Sequence, residues 1–207
     1  AVQKVREGRN VHQHLDLIAG LPWEDLDSFG RSFDRVYAMR PDQLQLGFLK
    51  VLKGSRMEER KEAYGLLCRD TPPYEVLSTR WLSYGDILTL KGVEDMTETY
   101  YNSGQFKAAL ALLERREDSA FALYRKLADF YRGHGMGQVQ HARAARYRIL
   151  LDFVRETYPQ DEEEMRERLI YDYYLRENAK SRPDFAGESL VDGQWARSFY
   201  EEEAREH

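Results

Sequence analysis

The first residues that could do chemistry are two histidines and a carboxylate. His12, His14 and Asp16 fall at i, i+2 and i+4, and on an extended strand such residues project from one face. Imidazoles beside a carboxylate are ligand types for zinc. A solvated strand face shows the same pattern, and that plainer reading is the stronger, so no metal ligand is assigned. Cys68 is the chain's single cysteine. A thiolate nucleophile needs a base partner, and the neighbouring sequence offers none, so Cys68 reads as a solitary thiol. Gly133-His134-Gly135-Met136-Gly137 lacks the Lys-Ser/Thr of a phosphate-binding loop and reads as a turn between helices. Arg143, Arg146 and Arg148 do not share one helical face. No complete catalytic constellation emerges, and no catalytic residue is assigned.

The elements that must position these residues follow from periodicity. Val11, Gln13, Leu15 and Leu17 point one way, and His12, His14, Asp16 and Ile18 the other, which predicts a strand ended by Gly20 and Pro22. Glu24 and Asp25 place negative charge at the start of a helix, where the macrodipole favours it. Leu26, Phe29, Phe33, Val36 and Tyr37 recur at helical spacing up to Pro41. Gln43 to Val51 is a second strand, with Leu44, Leu46 and Phe48 on its apolar face and Gln43, Gln45, Gly47 and Leu49 on the other. Two strands joined by a helix predict a right-handed parallel βαβ unit. In both strands the face away from the helix is polar. A packed (β/α) barrel fills its lumen with branched apolar side chains, so a polar lumen points to a ligand cavity lined by His12, His14, Asp16, Gln43 and Gln45.

The rest reads as helical. Val2 and Val5 suit the last turns of a helix over 2–7, broken by Gly8-Arg9-Asn10. A short helix is expected over 56–64, then a loop around Pro72-Pro73 with a short strand over 74–77. From Trp81, a stripe of Tyr84, Ile87, Leu88, Met96 and Tyr100 leads to a stop at Asn102-Ser103-Gly104. Phe106 to Leu113 is a short helix. Asp118 is the expected N-cap of a helix bearing Phe121, Tyr124, Leu127, Ala128 and Tyr131. A long helix over 142–154 stops before Pro159, and acidic residues 161–164 open another, bearing Met165, Leu169, Ile170, Tyr173 and Tyr174. A last charged helix is expected over 195–205. The tyrosines read as core.

Composition narrows the class of function. Of 207 residues, 42% are hydrophobic, enough for a core, while the net charge of −5 argues against a nucleic-acid partner. One cysteine excludes a disulfide framework, and no apolar run of about 18 residues suggests a membrane span. A cytoplasmic setting is expected.

A resemblance adds what chemistry alone does not. Asp16-Leu17-Ile18-Ala19-Gly20-Leu21-Pro22, a helix, then Gln45-Leu46-Gly47-Phe48-Leu49-Lys50-Val51-Leu52-Lys53-Gly54 resembles the later strands of a radical S-adenosylmethionine (SAM) barrel. The likeness is to the cobalamin-binding proteins of that family, related to the group named anaerobic coproporphyrinogen oxidase and Mg-protoporphyrin ester cyclase. Pro73-Tyr74-Glu75-Val76-Leu77 and Tyr171-Asp172-Tyr173-Tyr174-Leu175 resemble the helical C-terminal domain of unknown function carried by those proteins. The resemblance implies a parent enzyme with a 4Fe-4S cluster, SAM and cobalamin, whose cluster-bound SAM is cleaved to a 5′-deoxyadenosyl radical. Within a "GxIxGxxE" strand that touches adenosine, Ile18 and Gly20 match the Ile and the second Gly. Asp16 stands at the first Gly, and Trp23 at the Glu, with Glu24 one residue late. The family's CxxxCxxC motif is absent here, so no cofactor is expected in this chain alone.

The expected fold is therefore mainly α with a small α/β portion. Residues 1–55 are a βαβ remnant of a partial (β/α) barrel, 56–80 a linker, and 81–207 a multi-helix domain. The expected function is the C-terminal fragment of a radical SAM oxidoreductase or transferase, inactive alone. Its expected partners are the missing N-terminal part of its own chain or a second copy paired through the exposed strands. The alternative is a non-catalytic helical scaffold or protein-interaction domain.

Overall fold

The computed structural model describes residues 11–137, 139–177, 181–187 and 192–206. The expected helix over 2–7 and its glycine stop lie outside the described residues. The protein is mainly α with a small α/β portion. Two compact units divide it, one of residues 11–102 with 117–137, the other of residues 103–116 with 139–206.

In the first unit, strand β1 (His14–Ala19) and strand β2 (Gln43–Phe48) pair in parallel, His14 opposite Gln43 and Ala19 opposite Phe48. Helix α1 (Leu26–Tyr37) joins them. It starts on a capping box in which Asp25 accepts from Ser28 N at 2.8 Å and the Ser28 hydroxyl accepts from Asp25 N at 2.9 Å. Short helix α2 (Arg56–Glu59) and strands β3 (Leu67–Cys68) and β4 (Val76–Ser78) follow. Helix α2 ends well short of residue 64. Irregular turns follow, with Tyr64 N donating to Arg60 O, and Gly65, at φ +58°, lies against the backbone of Arg80, whose N–H donates to Tyr64 O.

The end of β2 changes partner. Leu49 N donates to Ala19 O, whereas Leu49 O accepts from Val76 N, and Val51 N donates to Tyr74 O. Residues 74–76 thus take over, antiparallel, the β2 edge that β1 leaves. Gly20 makes this possible. Its φ of +92° turns β1 aside, and a Cβ there would stand 2.6 Å from Val76 Cγ1.

Helix α3 (Tyr84–Met96) has its own capping box, Ser83 with Asp86, and widens into a π-helical turn, Thr97–Asn102. Its buried residues are Ile87, Leu90, Val93 and Met96, with Tyr100 in the turn, while Tyr84 and Leu88 are 55% and 44% exposed. Ile87, Met96 and Tyr100 of the expected stripe are thus buried, and Tyr84 and Leu88 are not. On the flank of that inward face is Gly92, where a Cβ would lie only 2.9 Å from Ala128 Cβ on helix α5 (Ala120–Gly133). Asn102 then plugs the outer edge of β2: its amide oxygen accepts from Leu44 N at 2.9 Å and its amide nitrogen donates to Leu44 O at 3.0 Å. Helix α5 is capped by Ser119, not Asp118, because Ser119 Oγ accepts from Ala122 N at the right spacing. Asp34 of α1 assists, accepting from Phe121 N and Ser119 Oγ at 2.8 Å each. Phe29, Phe33 and Tyr37 of α1 pack on Phe121 and Tyr124 of α5.

The second unit contains helices α4 (Lys107–Leu113), α6 (Arg143–Thr157), α7 (Glu162–Arg176) and α8 (Gly193–Glu206). Its core holds Leu112, Tyr147, Leu150, Phe153, Met165 and Leu169. Arg116 grips the buried Asp161 ahead of α7 through two nitrogens, Nε at 2.6 Å from Oδ2. Helix α8 docks on α7 by the stacked pair Tyr174–Tyr200 and by Tyr171 OH donating to Glu203 at 2.6 Å. No described helix is long and apolar enough to cross a membrane.

Candidate functional site

The strand pair presents one covered face and one open face. Leu44, Leu46 and Phe48 are buried, whereas His14, Asp16, Ile18 and Gln45 are exposed. Register lines the latter up in pairs: His14 with Gln43, Asp16 with Gln45, Ile18 with Gly47. Of the polar residues expected on one face, His14, Asp16, Gln43 and Gln45 share it. His14 Nε2 stands 3.3 Å from Asp16 Oδ1, both well solvated. His12 precedes the strand and is exposed. Ile18 is 49% exposed beside Gly47. The absent side chain of Gly47 leaves open space, for a Cβ there would have only Leu17 O near it, 3.8 Å away. Gly20 is buried, and its observed work is the turn against Val76.

Beyond the carboxyl end of β1 lies an aromatic cluster. Trp23 meets Tyr64 edge-on at 5.2 Å and Trp81 at 5.7 Å. Trp23 is 71% exposed and holds φ +65°, a conformation that costs a bulky L-residue about 1–2 kcal/mol. The Arg60 guanidinium donates to Tyr64 OH at 3.0 Å. Partial burial pushes the Glu24 carboxyl up, against the Ser32 hydroxyl, which pulls it down. The open ends of parallel strands are where α/β proteins place ligands.

A second polar cluster lies in the other unit, on α6, α7 and the segment ahead of α4. Asp172, 1% exposed, accepts from Ala108 N at 3.0 Å and Ala109 N at 2.9 Å. Burial pushes its carboxyl up to about 6, outweighing the two N–H groups that pull the other way. Glu177 Oε1 accepts from Gln105 Nε2 at 2.8 Å and Tyr147 OH at 3.4 Å, and Arg143 stands 3.2 Å away. Burial, then the nearby carboxylates Glu177 and Asp172, raise the Tyr147 phenol far above its ordinary value. Cys68 is buried, and burial pushes its thiol up, away from a reactive thiolate. Among the described residues no three His, Cys, Asp or Glu side chains are grouped to hold a metal ion.

Neither the aromatic cluster nor the Glu177 cluster stood out in the sequence. Trp23, Tyr64 and Trp81 meet only through turns. Tyr147 and Asp172 sit on helices rich in tyrosine; Tyr171, Tyr173 and Tyr174, expected in the core, are half-buried, and their spacing gives no sign of where hydroxyls go.

The chain matches a known protein family. The family described as "Protein of unknown function (DUF4080)" matches residues 62–207, which takes in everything from just before β3 to the C-terminal helix. No curated protein matches the chain. A match over the larger part of its length places this chain in the DUF4080 family of proteins of unknown function.

Proposed function

We propose that this chain is the closing strand pair and helical C-terminal domain of a radical SAM enzyme of the cobalamin-binding type, and that it does no catalysis alone. The observation that carries the reading is the parallel β1–β2 pair with α1 joining its strands and a face left open, where His14, Asp16 and Gln45 stand in register. A sheet of two parallel strands is not a self-sufficient element. Its polar open face suits the lumen of a barrel that holds a substrate.

The residues present suit one implied group and not another. Ile18 offers an apolar, half-exposed side chain next to the gap at Gly47, which suits the adenosine of SAM. With Gly20 turning the strand end, these are the residues that would hold it. SAM supplies radical chemistry only when a cluster reduces it. An iron–sulfur cluster needs three cysteine ligands in this family, and this chain has Cys68 alone, buried; no step through a cluster is derived. Cobalamin has no residue assigned to it. Taken alone, the chain would cover the open edge of β1 with a second copy.

The test is anaerobic reconstitution of the complete gene product with iron and sulfide, followed by SAM and a reductant. The expected product is 5′-deoxyadenosine. Its absence from protein with a fully loaded cluster would sink the proposal. Ile18→Lys should weaken SAM binding at least about tenfold, the size of one lost apolar contact with an unpaired charge added. A second reading, a helical scaffold or interaction domain without catalysis, is favoured by one fact: the family match begins at residue 62 and leaves out β1 and β2.

A further inference from the structure

The apolar cover of the strand pair stops short at β1. Leu44 and Leu46 of β2 are 1% and 2% exposed, whereas Leu15 and Leu17, their partners in register, are only half-buried. Among the described residues β1 has a strand on one side alone. Gln13 O and Ala19 O accept from β2, so alternation turns the backbone N–H and C=O groups of His14, Asp16 and Ile18 to the free side. A row of such groups beside half-buried leucines is a template for another strand.

The side chains of β1 suit a second copy of itself, and in one register. Two copies meet across a twofold axis, so the strands run antiparallel and one residue lies on the axis. Facing residues then share a face of the sheet. With Asp16 on the axis, two carboxylates oppose each other; with His14 there, two imidazoles do. With Leu15 on the axis, His14 faces Asp16 of the other copy twice over, and Leu15 faces Leu15. Larger shifts shorten the overlap, since Gly20 turns the chain aside. The His14 and Asp16 side chains are 46% and 66% exposed, free to reach across. Opposite charges across a strand pair attract, and like charges repel. We propose that β1 pairs with β1 of a second copy about a twofold axis through Leu15, joining His14 to Asp16 on both sides of it. The inference rests on the open β1 edge of the reading above and sets the partner and the register there; it needs none of the radical chemistry.

Cysteine cross-linking of the whole chain tests the register. In a Cys68→Ala background, the single variants His14→Cys, Leu15→Cys and Asp16→Cys are oxidised, each checked for folding by circular dichroism. Only a residue on the axis meets its own copy: facing Cα atoms lie about 4.5–5.5 Å apart, within disulfide reach, and diagonal neighbours about 7–8 Å. Leu15→Cys should form the linked dimer at least about tenfold faster than the other two. Faster linkage through position 14 or 16, or linkage at none of the three, would overturn the proposal. Sedimentation gives a second readout that leaves Cys68 in place. His14→Asp should weaken the dimer at least about tenfold, because both pairs then set like charges together, and the swap of His14→Asp with Asp16→His should restore it to within about threefold. A dimer unmoved by His14→Asp, or not restored by the swap, would refute the register. Linkage through position 15, with no 5′-deoxyadenosine from the complete gene product, would keep the pairing and sink the radical reading; the converse result would do the opposite.

Discussion

Asp172 should make the protein less stable as pH rises, the reverse of most carboxylates. Helix α4 has no side-chain cap of its own at Phe106. Asp172 reaches from α7 and supplies one, accepting from Ala108 N and Ala109 N. Burial dominates, so the folded protein holds the Asp172 proton to about pH 6, against an ordinary 3.8. Between those values the folded state binds more protons than the unfolded one, and stability therefore falls as pH rises through the window. A shift of about two units is worth at most about 3 kcal/mol. Asp172→Asn keeps an acceptor for α4 but removes the titration. Urea unfolding of both proteins at pH 4, 5, 6 and 7 provides the assay. The stability of wild type minus that of the variant should drop by up to about 3 kcal/mol from pH 4 to pH 7, because other carboxylates cancel in the difference. A flat difference would refute the argument, and a rising one would mean that the two N–H groups outweigh burial. Asp172→Ala should cost about 2–4 kcal/mol at pH 4, since it strands two buried donors, and less as pH rises by the same amount as in Asp172→Asn.

Three further outcomes are expected. Gly92→Ala should destabilise by about 1–2 kcal/mol net, crowding against Ala128 outweighing the better helix propensity; a double-mutant cycle with Ala128→Gly should then yield a favourable coupling of at least about 1 kcal/mol, and additivity would contradict the close-packing account. Gly20→Ala should cost about 2–4 kcal/mol through its left-handed backbone and its collision with Val76, with Val76→Ala recovering part of the loss in thermal melts. Sedimentation of the chain should give a dimer at micromolar concentration, and Asp16→Pro should make it monomeric; a wild-type monomer throughout that range would remove the case for pairing through β1.

The parts of the fold that were legible were those fixed by near neighbours in sequence. Alternation in His14–Ala19 and Gln43–Phe48 carried the strands, and the change to helical spacing after Asp25 carried α1. What escaped depends on partners far along the chain. Leu88 is apolar and in phase with Tyr84, yet both are exposed, because the face that is buried follows Ile87, Leu90, Val93 and Met96 at threefold spacing, with Gly92 on its flank against Ala128. Asp118 and Ser119 are both good caps, and only the spacing to Ala122 and the reach of Asp34 from 85 residues away select Ser119. Among the candidate residues, the shared open face of His14, Asp16 and Gln45 was readable from period two. The service that Asp172 renders 64 residues upstream was not, for a lone aspartate among tyrosines reads as surface.

The change of partner at the end of β2 has a consequence for how this sheet can grow. Odd-numbered carbonyls of β1, Gln13 and Ala19, accept from β2, so the backbone groups of His14, Asp16 and Ile18 point the other way. The β2 edge is occupied first by β1 and then by residues 74–76, and its far side is plugged at Leu44 by Asn102. Additional strands therefore add at β1. Two copies related by a twofold axis must set β1 against β1 antiparallel, whereas a barrel neighbour runs parallel to it. The direction of the strand found beside Asp16 thus distinguishes self-association from barrel closure by geometry alone, whatever chemistry the lumen performs.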